Sequence, residues 1–221
     1  MTRASLTDIT LVLDRSGSMS SMKAATIEAF NGFLTSQRKG DGEALMTLVQ
    51  FDDQYEVVYS ALPLEQATEL NEATFQPRGS TALLDAMGKS IVAIGQRLSR
   101  MPEAERPGTV LFVTLTDGEE NASHEYDLAK INSMIAEQRD KYSWQFIFLA
   151  ANQDAIATAS KMGIGAGQSL TMAASPSGMA ACLAALDRHT HATRSIKAAG
   201  LAAADFAFDE TDRRSAKTEE D

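Results

Sequence analysis

Ile9-Thr10-Leu11-Val12-Leu13-Asp14-Arg15-Ser16-Gly17-Ser18 is the stretch whose reading decides the fold. Its first half is an uncharged run of strand length, which suits a strand covered on both faces in a parallel sheet. Its second half delivers a carboxylate and two hydroxyls where that strand ends and a helix begins. A strand tip that carries hard oxygens and feeds a helix is the usual place for a ligand in an open α/β sheet.

Apolar runs at 44–51, 110–116 and 144–151 repeat the strand signal. Between them Leu84, Met87, Ile91, Ile94 and Leu98 recur in steps of three and four and define one helix face. Met22, Phe30, Phe33 and Leu34 do the same earlier, and Leu128, Ile131 and Ile135 later. Alternating strands and helices predict parallel βαβ units with right-handed crossovers. Gln54-Tyr55-Glu56-Val57-Val58-Tyr59 follows the second strand after only Asp52 and Asp53, a link too short for a crossover, so it is expected as an antiparallel edge strand. A weak last strand near 169–172 and an Ala-rich helix at about 177–199 complete the pattern. The expected fold is a doubly wound, Rossmann-like α/β sheet of about six strands, mostly parallel, with helices on both faces. One domain over 1–204 is expected, then an acidic, flexible tail over 205–221 that includes Asp205, Asp209, Glu210, Asp212, Glu219, Glu220 and Asp221, with Phe206 and Phe208 as its only apolar anchors.

Composition narrows the function. The 221 residues are 44% hydrophobic and 23% charged, an ordinary globular balance. A formal charge of -10 opposes binding to nucleic acid or an anionic membrane, which calls for clustered Lys and Arg. The single cysteine, Cys182, excludes an intrachain disulfide framework and fits a reducing compartment. No apolar run approaches the roughly 18–20 residues of a membrane span, and no signal peptide is evident, so a cytoplasmic protein is expected.

Two further motifs join Asp14, Ser16 and Ser18. Gly79-Ser80-Thr81 places a hydroxyl before a helix, and Thr114-Leu115-Thr116-Asp117-Gly118 places a second carboxylate at the end of the fourth strand. Taken alone, each piece has an ordinary reading as a helix cap or a turn. Independent caps have no reason to occur in register at several strand ends. Hydroxyls and carboxylates without His or Cys select a hard cation such as Mg²⁺, which prefers near-octahedral oxygens and keeps some of its waters. Two acids and three neutral hydroxyls leave an external carboxylate room to bind.

The arrangement resembles the von Willebrand factor A family, whose metal-ion-dependent adhesion site is written Asp-x-Ser-x-Ser, then a distant Thr, then a distant Asp. Asp14, Ser16, Ser18, Thr81 and Asp117 match all five positions, with Gly17, Met19, Gly79, Ser80 and Gly118 as family-like neighbours. The resemblance spans about residues 8–200 and is to stand-alone bacterial-type members. It implies that Ser16, Ser18 and Thr81 ligate Mg²⁺, Mn²⁺ or Ca²⁺ directly, with Asp14 and Asp117 acting partly through water. It further implies a non-enzymatic, intracellular adaptor whose protein partner offers a Glu or Asp carboxylate, in ATPase-linked (AAA+), metal-stress or kinase and phosphatase systems.

An Mg²⁺-dependent phosphohydrolase of the aspartyl-nucleophile type is the alternative, because Asp14 stands at a first-strand tip. Ser16 occupies the place of the second acid in such enzymes, no distant Lys is clearly placed for a phosphate, and no G-x-x-x-x-G-K-[ST] loop occurs. Glu119 and Glu120 are read as solvated rim residues. His124, His189 and His191 lack the i, i+4 pair of a zinc helix. Gly163-Ile164-Gly165-Ala166-Gly167 is read as a flexible turn, and Met19, Met22, Met87 and Met134 as packing on helix faces.

Overall fold

The computed structural model describes residues 2–151, 155–201 and 206–218, and for Ala155 the backbone alone. Strand β1 (Arg3–Asp14) is buried from Leu6 to its end and lies at the centre of the sheet. On its two sides run β2 (Glu43–Phe51) and β4 (Pro107–Thr116), both parallel to it. With β3 (Tyr55–Pro63), β5 (Gln145–Ala150) and β6 (Ser169–Thr171) the order is β3-β2-β1-β4-β5-β6. Among the described residues only the β2–β3 pair is antiparallel, as the short Asp52-Asp53 link requires. The chain reverses its direction of travel across the sheet between β1 and β4, the position where α/β sheets open a crevice.

Among the described residues six helices cover the sheet: α1 (Lys23–Gln37), α2 (Leu83–Arg100), α3 (Leu128–Tyr142), α4 (Ala155–Lys161), α5 (Pro176–Ala198) and α6 (Glu210–Lys217). The period of two along β1 splits the core. Ile9, Leu11 and Leu13 pack with Phe30, Phe33 and Leu34 of α1 and Cys182, Leu183 and Leu186 of α5. Val12 faces the other way, into Leu83, Met87, Ile91 and Ile94 of α2 and Ile131 and Ile135 of α3. Met19, Met22 and Met87 are buried and Met134 is half-buried, all in apolar packing.

Local chemistry fixes the helix starts. Asp127 accepts the Lys130 N–H at 2.7 Å to cap α3, and Ser175 accepts the Gly178 N–H at 3.1 Å to cap α5, with Pro176 in the first turn. Gly163 takes φ +84 in a turn that leads into a short 3₁₀ segment (Ala166–Gln168) before β6.

The expected tail differs from what the structure places there. Asp205, Glu219, Glu220 and Asp221 and the boundary at 204/205 lie outside the described residues, but 206–218 pack against the domain. Phe206 and Phe208 are buried and meet edge-on at 5.0 Å, and both flank the His189 ring. Asp209 and Asp212 form a reciprocal capping box that starts α6. Asp212 in turn meets His189 Nε2 at 2.7 Å and accepts from Arg188 Nη2 at 2.5 Å, while Arg213 donates to the Ser169 and Ala166 carbonyls. The acidic composition concealed this docking because Asp209 caps a helix and Asp212, which is buried, binds α5.

Candidate metal centre

The tips of β1 and β4 adjoin because their strands pair, with Leu13 opposite Leu115. Past the tip of β1 the chain turns into a 3₁₀ segment (Gly17–Met22) that presents Ser16 and Ser18 on the same side, their Oγ atoms 3.0 Å apart. Ser18 Oγ donates to Asp117 Oδ1 at 2.6 Å. Asp14 is fully buried; its Oδ1 accepts the Ser16 N–H at 2.6 Å and its Oδ2 accepts from Thr116 Oγ1 at 2.5 Å. Thr81 enters from a third loop. A Cβ added to Gly118 would lie 2.7 Å from Thr81 Oγ1 and 3.4 Å from Ser18 Oγ, so the two hydroxyls flank one point beside Asp117. All five oxygen-bearing residues singled out in the sequence therefore gather at the crevice between β1 and β4.

The loop that carries Thr81 is held on both sides. Gly17 N–H donates to the Gly79 carbonyl at 3.2 Å, and Arg78 N–H to the Arg15 carbonyl at 2.8 Å. Gly79 sits at φ +67, where a side chain is strained, and a Cβ there would strike Asp53 Oδ1 at 2.5 Å. On the other side Asn121 Oδ1 accepts the Thr81 N–H at 2.9 Å, and the Asn121 and Ala122 N–H groups donate to the Thr81 carbonyl.

Glu120 is more than a solvated rim residue. It accepts the Leu84 N–H at the start of α2 as well as the Ala122 and Ser123 N–H groups. Asp85 completes the clamp by accepting the His124, Glu125 and Tyr126 N–H groups. Together they fasten the loop after β4 to the positive end of α2. Glu119, by contrast, is exposed. Sequence reasoning missed Asn121, Thr116 and Asp85, whose roles depend on loops that meet only in three dimensions. The available signal was the density of Asp, Asn, Ser and Glu over 117–127.

Burial pushes the Asp14 carboxyl up to about 6, against the hydrogen bonds from Thr116 and Ser16 and with a contribution from the nearby Asp117 charge. Burial also raises Asp117, against its bond from Ser18. Among the described residues no Lys, Arg or His pairs with either acid. A buried and a half-buried acid within Coulombic reach of each other lack a counter-charge among the described residues, and the hydroxyls around them offer lone pairs. This donor set fits a hard divalent cation. Among the described residues no three His, Cys, Asp or Glu side chains come together, so an all-acid or zinc-type cage is absent there and the hydroxyls are essential to any such site.

Comparison with known proteins agrees with this architecture. The family model described as von Willebrand factor type A domain matches residues 8–178. No curated protein matches the chain. Proximal thread matrix protein 1 from the mussel byssus superposes with a TM-score of 0.57 at 13% identity, over 83% of this chain and 45% of that one. A second structure of that protein, described as having a zinc-occupied MIDAS motif, gives 0.51 at 14% identity, over 88% and 45%. A von Willebrand factor type A protein from Catenulispora acidiphila gives 0.51 at 15% identity, over 86% and 42%. The chain thus spans less than half the length of each of these structures, and at such identities the likeness is one of fold. Domains of this family are, as a class, metal-dependent interaction modules, and the match over most of the sequence places the chain in it: the protein belongs to the von Willebrand factor type A domain family.

Proposed function

We propose that this domain is a metal-dependent protein-interaction module that grips a Glu or Asp side chain of a partner, and that it has no catalytic activity of its own. The observation that carries the reading is the gathering of Ser16, Ser18, Thr81, Asp14 and Asp117 around a crevice whose two acids lack a counter-charge. In this reading Ser16, Ser18 and Thr81 supply direct oxygen ligands, and Asp14 and Asp117 balance charge partly through water. When bound, Mg²⁺, Mn²⁺ or Ca²⁺ would supply a Lewis-acid position open to an oxygen from outside the chain. Asp14 is kept from ligating freely by its bonds to Ser16 and Thr116, so the ion's charge is only partly offset and favours an incoming carboxylate.

The resemblance described above extends the proposal to an intracellular, cytoplasmic adaptor working with an AAA+ ATPase-linked or kinase and phosphatase system. Among the described residues no helix is long and apolar enough to cross a membrane.

The test has two stages. Mn²⁺ binding is followed by water-proton relaxation in wild type, Asp14→Ala and Thr81→Ala. A protein captured from extract in Mg²⁺ is then rechecked in EDTA, against both variants, and after its own candidate acids are changed to amides. Binding should need the cation, both residues and one partner acid; capture that survives EDTA and both substitutions refutes the reading.

A further inference from the structure

Asp52, at the end of β2, lies outside the oxygen-donor set, yet its carboxylate is fully buried and joins two of the loops that form the crevice. Its Oδ2 accepts from Arg15 Nε at 3.0 Å and from Arg78 Nε at 2.8 Å, while its Oδ1 accepts the Gln54 N–H at 2.6 Å. Its backbone carbonyl accepts the Ala82 N–H at 2.9 Å. These partners are placed to matter: Arg15 lies between Asp14 and Ser16, Ala82 follows Thr81, and Arg78 precedes Gly79.

Arg15 is 6% exposed, and its guanidinium reaches across β2 and β3, to Asp52, to Glu56 at 2.7 Å and to Gln50 at 3.5 Å. The side chain therefore anchors the backbone between two of the oxygen donors without itself bonding to Asp14. Arg78 does the same for the loop of Thr81, through both its side chain and its N–H to the Arg15 carbonyl. Burial works against ionisation of Asp52, but the bonds from Arg78 and the Gln54 N–H and the Arg15 charge outweigh it and hold the carboxyl below its ordinary value. It is an anionic acceptor that two guanidinium groups share.

We infer that Asp52 is a positioning residue for cation binding: through Arg15 and Arg78 it fixes the spacing between the 14–18 loop and the 78–81 loop that the oxygen donors require. This rests on the cation site proposed above. Mg²⁺ demands near-ideal octahedral geometry, whereas Ca²⁺ tolerates irregular and expanded coordination. Loosening the two loops should therefore weaken Mg²⁺ more than Ca²⁺, a change that a general loss of stability does not produce.

The experiment is calorimetric titration of the full chain with Mg²⁺ and separately with Ca²⁺, in wild type, Asp52→Asn and Arg78→Gln, with a melt in EDTA to establish folding. Asp52→Asn should weaken Mg²⁺ by about 10–100-fold, the usual range for outer-shell partners of a metal site, and Ca²⁺ by distinctly less. Arg78→Gln removes one arm from a half-exposed position, should remain folded, and should shift the Mg²⁺ to Ca²⁺ ratio in the same direction by less. An unchanged Mg²⁺ affinity in Arg78→Gln, or equal weakening of both cations in Asp52→Asn, overturns the inference. If Asp52→Asn does not fold, Arg78→Gln decides alone. A wild-type protein that binds neither cation removes the site reading itself, and this inference with it.

Discussion

Ser18 Oγ donates to Asp117 Oδ1 at 2.6 Å although 99 positions separate the two residues. The bond exists because β1 and β4 are parallel neighbours whose tips rise side by side. It links an exposed hydroxyl to a half-buried acid; Thr81 Oγ1 and the Ser18 hydroxyl flank one point at Gly118, and the Asp117 charge reaches the buried Asp14. Each of the following expectations depends on that convergence or on the framework that holds it.

A thermal melt in EDTA and again in Mg²⁺ at about 100 times its dissociation constant should separate by about 2.7 kcal/mol, or about 5–10 °C for a chain of this size. Asp14→Asn and Thr81→Ala should lose that rise. Asp14→Asn also removes a buried charge that has hydrogen bonds but no counter-charge, so in EDTA it should melt no lower than wild type at neutral pH. A markedly lower melt would mean that Asp14 is satisfied by groups other than a cation.

Gly118→Ala should cost the cation response while leaving the fold in place. The added methyl would come within 2.7 Å of Thr81 Oγ1 and must push that hydroxyl aside. Titration with Mn²⁺ checks this, and an affinity equal to wild type would show that Thr81 can move without consequence.

Acid should loosen α6 before the sheet. Burial opposes ionisation of Asp212, but its bonds from His189, the Asp209 N–H and Arg188 prevail and hold it below the ordinary carboxylate value of 3.8. A depressed folded-state value stabilises fully above 3.8 and is lost as pH falls below it. Protection of the α6 amides, taken relative to the intrinsic exchange rate at each pH, should therefore fall below about pH 4. In Asp212→Asn the protection should already be low at neutral pH; protection that is insensitive to both changes would refute the idea that Asp212 holds α6 on α5.

Phe208→Ala should destabilise the domain by about 3–5 kcal/mol, the range for emptying a buried aromatic site. The Cys182 thiol shares that core, and burial, with the Asp212 charge adding to it, pushes its pKa up. It should be inert to a thiol reagent in wild type and become reactive when residues from 206 onward are removed. Unchanged inertness after truncation would mean that α5 alone shields it.

Much of the fold could be read from the chain. Uncharged runs of strand length, the three-four spacing of Leu84, Met87, Ile91, Ile94 and Leu98, and the two-residue link before β3 each carry a local physical signature, and the structure places a strand or helix at every one. The packing of 206–218 was not legible because composition does not tell whether an acid such as Asp212 faces water or a histidine. Glu120 was underrated and Asp85 missed because a carboxylate that collects N–H groups from a distant loop looks like any surface acid in one dimension.

The sequence by itself determined the strands of the sheet, the helices α1, α2, α3 and α5, and which oxygen-bearing residues stand at strand ends and helix starts, since these follow from periodicity and local residue chemistry. Only the tertiary structure decided that Thr81 and Asp117 share one crevice with Asp14, that Asp52 ties Arg15 to Arg78, and that α6 closes over α5. Those relations link residues tens of positions apart, and they come from strand pairing and burial, which act through space and not along the chain.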